Sequence, residues 1–498
     1  MGRTAPMWFL LLLSLCCFFL NGENLHIPTT IRTNIISHGN NHHEAMLRMK
    51  ALFQASLIRH DSIASPPSPS PSPLPSQDEK KPHVYLLVTS YGADPTGNSD
   101  STEAILEAIG DATKVASKWS LMNGIRDLGG AQIDLQGGNY IINKPLQLPV
   151  GVGNLMIHGG TIRASNNFPS NGHLIDLSPS TESKESSTSS SYNYEYITFK
   201  NLFLDSNFRG GGISVINSLR INIENCYITH FTTTGILVQG GHETFITNSF
   251  LGQHITAGGD KGESQFSGTG ISLQGNDNAV TDVVIFSAEI GILVTGQANT
   301  ISGVHCYNKA AGFGGTGIYL KLPGLTQTRI VNCYMDYTSI VAEDPVQIHI
   351  SSSFFLGDAN VVLKSINGVA NGVTIVDNMF SGSNRGVEIV NLDESNRRFD
   401  KIEQVFVDGN IVNGMNLKAT IAKVSLHGNG TLWKADFNDV LVFRNRIEHV
   451  QYSVSAVGNT FPKHAVRNVS ENCVVIETSE EVSGSVFVTV DQGGVVSA

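Results

Sequence analysis

A short phrase recurs along the middle of the chain and constrains the fold more than any other feature. It reads apolar residue, any residue, then Asn. Copies are Phe199-Lys200-Asn201, Ile223-Glu224-Asn225, Ile246-Thr247-Asn248, Ile330-Val331-Asn332, Val376-Asp377-Asn378 and Phe443-Arg444-Asn445. Val280-Thr281-Asp282 and Ile301-Ser302-Gly303 are degenerate copies. A second phrase, Gly-Ile-x-apolar, follows most copies: Gly212-Ile213, Gly235-Ile236, Gly270-Ile271, Gly291-Ile292 and Gly317-Ile318. Between Asn201 and Asn332 the Asn-type positions step by 24, 23, 34, 21 and 29 residues. Short alternating strands repeating with a period in the twenties make a parallel β-solenoid, one coil per repeat. Gly is expected to supply turn backbone. Asn tolerates a left-handed φ, and its amide can bond the coils above and below. Asn225 and Asn248 are therefore expected as buried turn residues rather than ligands.

The flanks of the repeat differ from it. Arg3 precedes an apolar run from Met7 to Leu20, which reads as a cleaved secretory signal over residues 1–22. Residues 23–83 read as a leader or propeptide. In it Met46, Met49, Leu52 or Phe53, Ser56 and Leu57 fall at roughly helical spacing, and a Ser-Pro-rich linker follows at 65–76. The folded domain is expected over 84–498, with a C-terminal cap near 451–498 built from the alternating run Val474 to Val490. Ser178 to Ser191 reads as a loop thrown out from one coil. The sequons at Asn429 and Asn468 fit a secreted glycoprotein. Four cysteines remain beyond the signal. Cys306 and Cys333 fall on adjacent coils, where they can pair or can fill the core as thiols.

The net charge of −11 and the lack of a basic run argue against nucleic-acid binding. No later segment reaches membrane-spanning length. No metal cluster or cofactor motif is present, and a monomer is expected. An acidic protein that handles a polyanion needs cations focused in its cleft.

Val88-Thr89-Ser90-Tyr91-Gly92-Ala93-Asp94-Pro95-Thr96-Gly97-Asn98, continuing to Ile105, resembles the opening of the pectate-lyase-3 or rhamnogalacturonase/epimerase-type β-helix family. Gly129-Gly130-Ala131-Gln132 and Gly137-Gly138-Asn139-Tyr140 resemble that family's first coil. The resemblance implies a right-handed parallel β-helix with an N-terminal capping helix near residues 100–118. Asp100 and Glu103 are placed to form its capping box. Gln253 to Asp260, and Asn308-Lys309-Ala310 with Gly312 to Leu320, are similar to the QUARTET-type plant polygalacturonases. That similarity implies cofactor-free hydrolysis of α-1,4-galacturonan in the plant cell wall, in wall loosening or pollen-grain separation. The Asn-Thr-Asp, Asp-Asp, Gly-His-Gly and Arg-Ile-Lys motifs of typical polygalacturonases do not occur intact. Thr234, Thr269, Ile290 and Thr316 stand where their acids and His lie, with Lys321 at the Lys position and Tyr319 at the Arg.

Three functions follow from these features. The first is an inverting pectin hydrolase, which needs two carboxylates about 6.5–9.5 Å apart. The second is a calcium-dependent lyase, with Asp260, Glu263 and Asp277 as possible ligands. The third is a wall polysaccharide-binding solenoid without catalysis. The favoured reading is the hydrolase, with substrate in a groove over the Gly-Ile strands. The 34-residue step between Asn248 and Asp282 makes a loop, His254 to Ser267, where function is commonly placed. The catalytic candidates are Asp260, Glu289 and Asp336. The substrate-binding candidates are His254, Lys309 and Lys321. His305 is expected as a packed turn residue, and Asp282 as part of the Asn column.

Overall fold

The structure, a computed structural model, describes residues 84–114, 119–179, 192–254, 262–308, 315–324, 326–459 and 461–493. The signal, the leader and its linker, most of Ser178 to Ser191, Asp260 and Lys309 lie outside the described residues.

The repeat winds as a right-handed parallel β-helix whose strands join into one 33-stranded sheet. Each coil opens on a Gly-Ile strand, here the first strand. Examples are Thr234–His242, Thr269–Leu273, Ile290–Val294, Thr316–Leu320, Ile340–Glu343, Val361–Lys364 and Val390–Asp393. The second strand carries the apolar residue of the Asn phrase, as in Phe245–Thr247, Ala279–Thr281 and Thr300–Ser302. The third lies beyond the Asn turn, as in Phe250–Gly252, Val284–Phe286, His305–Tyr307 and Tyr334–Asp336. One coil sends Ile236, Val238, Ile246 and Leu251 inward, all fully buried. Each such side chain stabilises by about 1.5–3 kcal/mol.

The turn between second and third strands runs Asn201, Asn225, Asn248, Asp282, Gly303, Asn332, Ser352, Asp377 and Gly409, all with φ between 47° and 66°. This left-handed column is the physical content of the Asn phrase. Its side chains point outward, contrary to expectation: Asn225 and Asn248 are exposed, and Asn225 Nδ2 donates to Asn201 Oδ1 at 2.8 Å on the surface. The buried position is the next one, filled by Cys226, Ser249, Val283, Val304, Cys333, Ser353 and Asn378. There Asn378 donates to Asn410 Oδ1 at 3.0 Å. The phrase at 376–378 is thus framed one residue late, since Asp377 holds the left-handed position. Asn445 lies beyond the last coil, where its Oδ1 accepts the Glu471 N–H at 2.7 Å.

The Gly of the Gly-Ile phrase has a different cause from the one expected. Its φ is not left-handed. A Cβ at Gly235, Gly270 or Gly291 would lie 2.6, 2.6 or 2.4 Å from the carbonyl oxygen of the matching glycine on the next coil. Close approach of backbones, not turn geometry, demands glycine here. Cys226, Cys306 and Cys333 are buried free thiols, and Cys473 is also unpaired. Cys306 sits on a third strand while Cys333 follows a turn, so the two do not form a disulfide.

A helix at Thr102–Thr113 closes the N-terminal end, burying Ile105, Ala108, Ile109 and Ala112 in the solenoid core. Its N-cap is Ser101 rather than Asp100. Asp100 Oδ1 instead accepts the Thr102 N–H at 3.1 Å. Glu103 pairs with Lys144 at 2.6 Å, so no capping box forms. At the other end lies a four-stranded antiparallel sheet of Ile421–Asp436, His449–Ala456, His464–Ser470 and Cys473–Asp491. It has its own core around Trp433, Ile476 and Val488. Thr420 clips it to the last second strand, Lys401–Asp408: its N–H donates to Val407 O at 2.9 Å and its Oγ1 accepts from Val407 N at 3.0 Å. Asn429 and Asn468 are exposed on this sheet.

Candidate active-site groove

The outward residues of the first strands form one file in register: Leu237, Ser272, Leu293, Tyr319, Val341, Val362 and Asn391. Rims of different chemistry flank this floor. One rim is made by the turns that lead into the first strands, the other by the turns that leave them.

The leaving rim is built from charges. Lys321 is exposed directly after Thr316–Leu320, and Glu343, Lys364 and Asp393 follow on successive coils. Tyr319 donates its hydroxyl to Glu343 Oε1 at 2.5 Å, and Lys364 Nζ lies 3.3 Å from both groups. Burial first, then the Glu343 carboxylate, pushes the Tyr319 phenol up, so it stays a donor. Its hydrogen bond to Tyr319, then that to Glu343, raises the Lys364 ammonium, so it stays charged. Sequence reasoning missed Glu343 and Lys364. The signal was present in Lys321, Glu343, Lys364 and Asp393, each one residue past a core apolar position.

The entering rim carries carboxylates and aromatic rings. Gln253 is buried and closes the long loop at its base: Nε2 donates to Phe231 O at 3.0 Å and Ser267 Oγ at 2.9 Å, and Oε1 accepts the Ser267 N–H at 2.6 Å. Glu263, on the short 3₁₀ turn Glu263–Gln265, is buried and accepts from Ser287 Oγ at 3.1 Å. Glu289 is exposed at the start of Ile290–Val294. Gly315, at φ +71°, packs against it, since a Cβ there would sit 2.7 Å from Glu289 O and 2.8 Å from the Phe266 ring.

Asp336 ends its third strand, and its register partners are Tyr307 and then Phe286 on the two preceding coils. Its Oδ2 is 4.0 Å from His305 Nε2. Burial lowers the His305 imidazole below its ordinary value, so it is neutral near pH 7. His305 lies on a strand rather than a turn, packed edge-on against Tyr334 at 4.6 Å. Burial, then the charge of Asp336, raises the Tyr307 phenol, keeping its proton on. Asp336 therefore sits beside two uncharged groups, the neutral His305 imidazole and the Tyr307 phenol.

Further toward the N-terminal end, the His254 ring lies 5.3 Å from Phe208, which lies 4.6 Å from His230. His230 Nδ1 is 2.8 Å from Asp205 Oδ1, and Arg163 Nε donates to Oδ2 at 2.9 Å. Burial works against the Asp205 carboxylate, but the His230 hydrogen bond, the Asn207 N–H and the Arg163 charge hold it below the usual range.

The structure thus brings Glu289, Asp336 and His254 to one rim and Lys321 to the other. Asp277 lies in a leaving turn while Glu263 lies in an entering one, so those two do not meet as metal ligands.

Comparison with known proteins agrees with this architecture. A family profile described as rhamnogalacturonase A/epimerase, pectate lyase-like, matches residues 85–319. Polygalacturonase QRT3 of Arabidopsis thaliana is 60% identical over 458 residues, 91% of this chain and 92% of that protein. The chain belongs to the QUARTET-type polygalacturonases. Its kind of chemistry is therefore that of the glycoside hydrolases. Among solved structures, ORF18 of Geobacillus virus E2 shares the fold at 12% identity, with a TM-score of 0.50 over 83% of this chain and 79% of that one. The tailspike of bacteriophage HK620, solved with a pentasaccharide, superposes at a TM-score of 0.43 and 9% identity over 82% and 93% of the two chains. In this polygalacturonase, Thr234, Thr269, Ile290 and Thr316 line the start of the groove strands. Glu289 and Asp336 stand just outside that file, on the entering rim.

Proposed function

We propose that this protein is secreted to the plant cell wall and there hydrolyses α-1,4-galacturonan in pectin, as a monomer without a cofactor, by an inverting acid–base mechanism. The wall loosening that lets pollen grains separate is its setting, by analogy with the family resemblance described above. The observation that carries the mechanism is a rim bearing Glu289 and Asp336 that faces a rim bearing the exposed Lys321 across one strand width. Lys321, exposed on the leaving rim, holds a uronate carboxylate of the substrate, as a hydrolase of a polyanion requires, while Lys364 is tied to Glu343 and Tyr319. Asp336 is one member of the acid–base pair. Its partner is Glu289 on the same rim, or Asp260, which lies outside the described residues. Asp336 and the strand beside Glu289 are two coils apart, about 10 Å between strand axes, and side-chain reach brings such a pair toward the separation that admits a water. Glu263 is bound to Ser287 beneath the rim and positions the loop.

Kinetics on polygalacturonate test the assignment. Asp336→Asn is expected to lower kcat by at least about a hundredfold with an unchanged melting temperature. Lys321→Ala is expected to raise KM on de-esterified substrate and leave kcat nearly unchanged. Full activity of Asp336→Asn would remove it from the mechanism.

A further inference from the structure

The groove ends in a pocket. Its floor file finishes at Asn391 on the last first strand, and beyond it a cavity of about 1010 Å³ opens between the solenoid end and the antiparallel sheet. Glu388, on the entering rim of that last coil, and Asn391 form its solenoid side. Asp439, Arg444 and Glu471, from the segments that join the sheet strands, form the far wall. Lys418 is nine-tenths buried at the base and pairs with Glu388 Oε1 at 3.1 Å.

The composition of the lining selects a ligand. It presents four carboxylates against two cations, and one of those cations is already paired with Glu388. A uronate carboxylate entering here meets net repulsion. Hydroxyl groups meet the opposite: amide and carboxylate acceptors, the Arg444 donors, and apolar side chains beneath them for the C–H face of a ring. Asn391, Asp439 and Arg444 have no side-chain hydrogen bond or ion pair among the described residues, so their polar groups are available.

We infer that this pocket is a carbohydrate subsite for an uncharged sugar unit at the end of the groove, either a methyl-esterified galacturonate or a neutral pyranose. The inference rests on the groove reading above for its polymer, and on the pocket's own charges for its preference.

Calorimetric titration of the intact protein in its Asp336→Asn form tests it, with three short probes of equal length: de-esterified oligogalacturonate, its methyl ester and a neutral galactan oligomer. Asn391→Ala is expected to weaken the uncharged probes by about tenfold and leave the de-esterified one unchanged. Asp439→Lys with Glu471→Lys, both exposed, is expected to strengthen the de-esterified probe by about tenfold, with the melting temperature confirming the fold. Whichever uncharged probe responds to Asn391→Ala identifies the source. Equal affinities of all three probes in both variants would overturn the subsite. The hydrolase reading fails separately, if the wild-type protein releases no reducing ends from polygalacturonate while the pocket still binds.

Discussion

Gly291→Ala measures how tightly the coils are stacked. A Cβ at this position would lie 2.4 Å from Gly317 O and 3.0 Å from Cys306 Sγ, where ordinary contact begins at 3.4 Å. The next coil must therefore retreat by about 1 Å at a point where strand spacing is fixed near 4.8 Å. Overpacking of this kind costs about 1–3 kcal/mol, and weakening one ladder hydrogen bond adds about 1 kcal/mol. Restricting the unfolded chain returns about 0.4–1 kcal/mol. The expected net loss is about 1–3.5 kcal/mol. Gly110→Ala is the control: Gly110 lies inside the capping helix with nothing within 4 Å of its Cβ position, so alanine there is expected to stabilise by about 0.5–1 kcal/mol. Urea unfolding followed by circular dichroism reads both. A Gly291→Ala protein as stable as the parent would refute close approach as the reason for the glycine column.

Three further outcomes follow from the same structure. Asn248→Gly is expected to be tolerated, while Asn248→Ala costs about 1 kcal/mol for its left-handed backbone; equal denaturation midpoints for the two would refute the backbone role. His173 is mostly buried, and burial lowers its pKa below 6.5. The unfolded chain therefore binds a proton that the folded one resists, so this contribution is whole above pH 6.5 and is lost as pH falls below it. His305 acts with the same sign, so His173→Gln should remove part, not all, of the stability difference between pH 7 and pH 5; an unchanged difference would contradict the assignment. Gln253→Ala frees both ends of the long loop and is expected to lower turnover more than it lowers the melting temperature, read by parallel kinetic and thermal measurements.

The solenoid was legible because its cause is periodic. A left-handed residue and a tight backbone approach recur once per coil, and Asn and Gly report them directly. The failures sit where that code is degenerate. Ser352 holds the left-handed position without an Asn to mark it, and Asn378 imitates the mark one residue late. Buried Asn pairs such as Asn278 with Asn299, at 3.0 Å, occupy a different turn that the phrase does not include. Ser101 took the helix N-cap because Asp100 was drawn back to Thr102. The groove was only partly legible. Lys321 and Asp336 carry chemistry in their own identity, whereas Glu343 and Lys364 matter because stacking sets them beside Tyr319, more than twenty residues away. The terminal pocket had no sequence signal at all, since its two walls come from the last coil and from a separate sheet.

The central claim is hydrolysis with inversion in this groove. The most direct measurement is proton nuclear magnetic resonance of fresh products, recorded during digestion of polygalacturonate by the wild-type protein with a calcium chelator present. Saturated oligogalacturonates whose new reducing ends appear first as the β-anomer are predicted, because a water attacking opposite the departing oxygen inverts the α-linkage. Unsaturated ends, α-anomers appearing first, or product only when calcium is restored would contradict the account.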